Sequence, residues 1–255
     1  MLNIPNIEKL PAKIANKCCA KNNIAQIMDH INNIISPRIR LINFYYERIV
    51  EAAKEISKED TSVKAAEGSS KNDVLFIQLR IYLTMLLQDI CEIVNTATAI
   101  VLLSNIPPKR KFNSIYRDFN KSKESIENIF SYLEENVYFK KQIAYTVKNL
   151  IEEKNKKILS IDKLCLISVL RNKVSHGRFD VIECSQINGV RVVKLRDDFR
   201  MELIDESYKY YDYMKLNNDT IKKENFDNPV LDENIETITL NICNWIDDWA
   251  DKIVC

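Results

Sequence analysis

Apolar residues return every three or four positions through most of this chain, the spacing of one face of an α-helix rather than the alternation of a half-buried strand. From Ile24 to Ile56 the series Ile24, Ile27, Met28, Ile31, Ile34, Ile35, Leu41, Ile42, Tyr45, Ile49, Val50 and Ala53 predicts one long helix. Pro37 interrupts it, and because proline disfavours helical geometry at the residue before it, a break or kink is expected near Ser36-Pro37. Small and polar residues over about 57–73 predict a mobile loop. Val74 to Ser104 is then apolar almost throughout. Gln78, Arg80, Gln88, Asp89, Glu92 and Asn95 keep it short of the roughly 18 uncharged apolar residues of a membrane span, so it reads as a core helix with Asp73 as N-cap.

Further helical spacing runs through 113–135, 139–153 and 159–175, the last with Leu164, Ile167, Val169, Leu170 and Val174 as its apolar members. After His176 the texture changes. Two β-branched runs flank Asn188-Gly189, a strong signal for a hairpin over about 179–195. Helical spacing returns from Phe199 to Leu216, a polar stretch covers 217–228, and a last amphipathic helix is expected over about 231–252. The expected fold class is all-α: one domain over 1–255, a helical bundle with a small β-hairpin inserted late in the chain.

Composition narrows the function. A chain of 255 residues can bury a sizeable core without metal or disulfide staples. Its 3 glycines are too few for the Gly-rich loops that cradle nucleotide phosphates. Its 7 cysteines are odd in number and contain no CxxC pair, so they read as small buried hydrophobes in a reducing cytosol rather than as a disulfide or zinc framework. No charged and apolar leader opens the chain, so a cytoplasmic location, with no membrane partner, is the expectation. A net charge of +1 excludes a general nucleic-acid coat, so any RNA contact must be local. Lys109-Arg110-Lys111, Lys140-Lys141 and Lys154 to Lys157 could meet phosphates, although such runs more often solvate helix ends.

With only His30 and His176 present, a histidine metal cluster is ruled out, and neither a metal nor another cofactor is expected. His30 sits in a helical pattern and receives no role. His176 has different company. Asn172 precedes it by four residues, hence on the same helical face, and Arg171 lies about 100° round from Asn172, within reach of a shared site. An imidazole can exchange protons near neutral pH, and a guanidinium can hold a phosphoryl group bidentately, so the trio suits phosphodiester cleavage. The competing reading is a plain helix end closed by His176 and Gly177.

Leu170-Arg171-Asn172-Lys173-Val174-Ser175-His176-Gly177 resembles the signature of the HEPN superfamily, an arginine followed by a polar residue and, four to six residues on, a histidine. About eight residues carry the likeness. The rest of the chain agrees with the family only in helical pattern and in the late position of the motif. The resemblance implies a helical-bundle ribonuclease of a toxin or antiphage (abortive-infection) system, metal-independent, with RNA as partner. It also implies a homodimer in which two motifs compose the active site, and a cognate antitoxin or regulatory partner. His176 would move protons, Arg171 would stabilise charge on phosphorus, and Asn172 would orient the imidazole or the phosphate. Lys173, Ser175 and Arg178 are expected as further substrate contacts. Arg178 also marks a departure: the branch paired with a nucleotidyltransferase antitoxin has tyrosine there, so that modification cannot occur. The alternative is a non-catalytic HEPN module for dimerisation or nucleotide sensing. Tyr208, Tyr210, Tyr211 and Tyr213, and the pair Trp245 and Trp249, are read as packing stripes rather than base-stacking platforms.

Overall fold

The computed structural model describes residues 2–18, 24–58, 71–103, 161–176, 181–213 and 229–253. Those residues form α1 (Pro5–Cys18), α2 (Ile24–His30), a π-helical turn (Ile31–Ile35), α3 (Ser36–Lys58), α4 (Lys71–Leu103) and α5 (Ile161–Ser175). Strands β1 (Ile182–Ile187) and β2 (Val190–Leu195) follow, then α6 (Asp197–Tyr213), a 3-10 turn (Pro229–Asp232) and α7 (Ile235–Lys252). The described chain is therefore mostly helical, with one two-stranded antiparallel hairpin. The helical patterns read at 113–135 and 139–153, the polar stretch at 217–228 and most of the expected loop lie outside the described residues. The edges of that loop are helical, since α3 runs to Lys58 and α4 begins at Lys71.

Internal contacts divide the chain into two compact units. The first comprises Met1–Ile4, Arg40–Cys91 and Ile161–Ile246. Its core is built from helical stripes: Ile42, Tyr45, Ile49, Ala53 and Ile56 of α3, Leu79, Leu83, Leu86 and Ile90 of α4, and Ile235, Ile238 and Ile242 of α7, all buried. α5 packs against α6. Cys165 on α5 and Cys243 on α7 are buried, and burial pushes the Cys243 thiol up to about 12. The opposite face of α4 is different, with Val74, Ile77, Ile81 and Met85 exposed. Asp73–Thr98 is long and apolar enough to cross a membrane by length and composition, with a third of its most apolar window buried within the protein. Asp73 falls in the first turn of α4 rather than at its cap, because the helix starts two residues earlier.

The hairpin forms as the Asn-Gly signal requires. Ile187 pairs with Val190 across a two-residue turn in which Asn188 (φ 52°) and Gly189 (φ 79°) both adopt left-handed geometry. Asn234, bridged to Lys194 of β2, sets the start of α7: its side-chain oxygen accepts the Thr237 N–H at 2.8 Å. This N-cap explains why α7 begins after Asn234 and not at residue 231 or 232.

The second unit comprises Pro5–Ile39, Glu92–Ser160 and Asp247–Cys255. α1 was not among the elements expected from the sequence, and two prolines within it, Pro5 and Pro11, obscure its pattern of Ile7, Leu10 and Ile14. Pro5 suits the first helical position, where its missing N–H costs nothing. The next two amides are held by Asp247, whose Oδ1 accepts the Asn6 N–H at 2.8 Å and the Ile7 N–H at 2.9 Å, while Oδ2 accepts Asn6 Nδ2 at 3.0 Å. The break expected near Ser36 lies just upstream of it. Ser36 N–H donates to Ile31 O, five residues back, so the chain inserts a π-turn before Pro37 instead of ending the helix.

Two stability predictions follow from these contacts. Replacing Asp247 by Ala leaves two first-turn amides without their acceptor and should cost about 2 kcal/mol; a urea midpoint unchanged from wild type would show that the cap is dispensable. Gly189→Ala meets nothing within 4 Å, so its cost is the left-handed backbone alone, about 1 kcal/mol, read in the same titration.

Candidate functional site

The candidate residues occupy the last turn of α5 and the position after it. Leu170 and Val174, one turn apart, are buried at 0% and 1% exposure. They fix the roll of the helix, so that of the polar residues between and after them Asn172, Ser175 and His176 are exposed, while Arg171 and Lys173 are half-buried. His176 lies beyond the last helical residue, yet its N–H still donates to Asn172 O at 3.0 Å. Helical register therefore persists to His176 and stacks it one turn above Asn172, as the four-residue spacing predicts.

The side chains make a more specific arrangement than spacing alone could give. Arg171 Nε and Nη2 both donate to Asn172 Oδ1, at 3.1 and 2.6 Å. Asn172 thus holds the guanidinium by its side chain and the His176 amide by its backbone carbonyl. Among the described residues the His176 ring has no hydrogen-bond partner. Ser175 Oγ donates to Asn172 O at 3.0 Å, which uses its proton within the helix end. Arg178 lies outside the described residues, as do the three lysine-rich clusters.

Lys173 reaches across from α5 to α6. Its ammonium lies 2.8 Å from Glu202 Oε1 and 2.5 Å from Glu206 Oε1, two carboxylates one turn apart on α6. Those hydrogen bonds, first to Glu202 and then to Glu206, raise its pKa above the ordinary lysine value. An ammonium held in this way has two of its three N–H donors on carboxylates, so the expected substrate contact by Lys173 would have to use the third. Sequence did contain a hint, since carboxylates at i and i+4 repel unless a cation sits between them. It held nothing to say which of the chain's 37 Lys and Arg residues that cation would be.

The base of the hairpin carries a further ionic group. Lys194 reaches Asp197 at 3.0 Å and Glu183 at 3.4 Å, Arg196 pairs with Asp198 at 2.8 Å, and Arg200 pairs with Asp232. These ties join β1, β2, the start of α6 and the 3-10 turn. The Arg196 guanidinium, the largest influence, holds the Asp198 carboxyl below its usual range. A cavity of about 330 Å³ is lined by Asp73, Phe76, Ile77, Arg80 and Ile182, and includes none of the candidate residues. Among the described residues no group of three or more His, Cys, Asp or Glu is placed to hold a metal ion. In the second unit His30 is half-buried, and desolvation lowers its pKa against the opposing pull of Asp29.

No family model, no curated protein and no solved structure matches this chain.

The Lys173 pair also makes a pH prediction. With the folded-state pKa raised, the folded protein holds that proton more tightly than the unfolded chain does. Its stabilisation is complete below the ordinary lysine value near 10.5 and is lost as pH rises through the higher folded value. Lys173→Met should cost about 1 kcal/mol at neutral pH, with the gap to wild type closing in strong alkali. A gap that stays constant there would mean that the ion pair is not its source.

Proposed function

We propose that this chain is a metal-independent endoribonuclease of HEPN type, acting in the cytoplasm as a toxin or antiphage effector. The observation that carries the reading is the end of α5, where helical register to His176 presents an imidazole without a hydrogen-bond partner among the described residues. Beside it, Arg171 is oriented by Asn172. A solvent-facing imidazole can exchange protons with substrate, and a guanidinium steered by a neighbouring amide can meet phosphate oxygens through its remaining donors.

The chemistry follows from those groups. The ribose 2′-oxygen attacks the adjacent phosphorus, a 2′-O–P bond forms, and the P–O5′ bond breaks. The 2′-hydroxyl gives up a proton and the departing 5′-oxygen gains one. His176 carries one of these transfers, while Arg171 stabilises the charge accumulating on the non-bridging oxygens. With His176 carrying one transfer, the second falls to another group, and pairing two copies across a two-fold axis would supply a second His176. The products are a 2′,3′-cyclic phosphate and a 5′-hydroxyl. DNA, lacking the internal nucleophile, is spared.

Incubating the purified protein with labelled structured and single-stranded RNA in EDTA tests this directly. Wild type should cleave and leave cyclic phosphate ends, whereas His176→Ala and Arg171→Ala should each lose about 100-fold or more in rate. RNA left intact by all three would favour the non-catalytic dimerisation or nucleotide-sensing module instead, and cleavage unaffected by either substitution would remove Arg171 and His176 from the cleaving site.

A further inference from the structure

The last carbonyls of an α-helix have no intrahelical donors, so its final turn frays unless outside contacts hold it. The candidate side chains of α5 stand on such a turn. Two contacts in the interior hold it, the burial of Leu170 and of Val174. The third contact is polar and crosses to another helix: the Lys173 ammonium between Glu202 and Glu206 of α6. Lys173 lies between Asn172 and Val174 in sequence, so a constraint on its side chain acts within one residue of the amide that orients Arg171.

The trio cannot be reduced to a scattered surface pair. Its lysine side chain is only 22% exposed, and the carboxylates 28% and 38%. The two glutamates share one face of α6, so removing the cation leaves them repelling each other at the seam where α5 packs. The lysine's charge is also spent on two carboxylates of the protein itself, which makes the cluster a poor landing point for RNA phosphates. A contact that does not favour substrate but fixes the element bearing the site has the character of a positioning device.

We infer that Lys173, clamped by Glu202 and Glu206, is a positioning residue that keeps the end of α5 wound, so that Asn172, Arg171 and His176 share one geometry. The inference rests on the ribonuclease reading for its functional meaning, and on α5 alone for its structural one. Misplacement of reacting groups by about 1 Å can cost about 100-fold in rate, so even partial unwinding of this turn would be felt in catalysis.

The test compares wild type with Lys173→Met, Lys173→Arg, Glu206→Gln and the double variant Glu202→Gln/Glu206→Gln. Two readouts are taken: amide hydrogen exchange at Val174, Ser175 and His176, and RNA cleavage resolved into kcat and KM. In Lys173→Met and in the double variant, exchange at these amides should accelerate about tenfold, more than at Ile242 of α7, and Lys173→Arg should restore protection. Cleavage should follow, with kcat lower by about tenfold and KM within about threefold of wild type. A raised KM at unchanged kcat would make Lys173 a substrate contact and overturn the inference. So would exchange at the helix end that ignores all of these substitutions. Should wild type fail to cleave RNA, the ribonuclease reading falls while the exchange data still decide the clamp. Should Lys173→Met not fold, Glu206→Gln, which keeps the Glu202 pair, supplies the same comparison at smaller amplitude.

Discussion

A helix end leaves backbone donors or acceptors without partners, and each unit of this chain is organised around groups that meet that demand from outside the helix. Asp247 takes the first amides of α1. Asn234 takes the Thr237 amide at the start of α7. At the π-turn, where Pro37 has no N–H to give, Arg38 Nη1 donates to Ile34 O at 2.9 Å. At the end of α5 the demand falls on carbonyls, and there Asn172 O accepts both the His176 amide and the Ser175 hydroxyl. The candidate site is thus built from the same necessity that shapes the rest of the described chain, and its polar residues lie where an unfinished helix requires polar atoms.

This economy complicates any functional reading of the Arg171 to His176 segment. A helix end that satisfies its own backbone can look like a site, and a site can serve as a cap. What separates the two here is the distribution of partners. Asn172 and Ser175 are occupied with the helix, Lys173 with α6, and Arg171 in part with Asn172, whereas the His176 ring, among the described residues, is left to solvent. A cap needs no imidazole. The surrounding charge is mixed, which agrees with a near-neutral protein whose contact with RNA would be confined to a few residues.

Helices were legible in the sequence where one apolar stripe recurred, as in α3 and α7, because burial of a single face imposes its period on the residues, whereas α4 was legible from the length of its apolar run. The hairpin was legible for a stricter reason: two consecutive residues at positive φ leave few sequences other than Asn-Gly. α1 escapes such a pattern because it holds two prolines, which ordinarily break helices, although one of them occupies the position where proline is favoured. Boundaries erred where the deciding partner was distant or merely local, as with Asn234 capping α7. The side-chain pairings at the candidate site could not be read at all. The spacing of Asn172 and His176 fixes their common face, but nothing in a linear pattern says that Asn172 will turn to Arg171, or that Lys173 will find Glu202 and Glu206 some thirty residues on.

The buried thiols have a separate consequence. Cys165 and Cys243 stand in the core of the first unit, at 0% and 2% exposure, and Cys243 stays protonated across the whole physiological range. Since only a thiolate reacts readily with electrophiles, these two atoms are chemically silent while the core is closed. Cys91 and Cys184, half-buried, stay within easier reach of solvent. The chain therefore carries fast and slow chemical clocks side by side, and the lag between them measures how often its interior is exposed to the surrounding water.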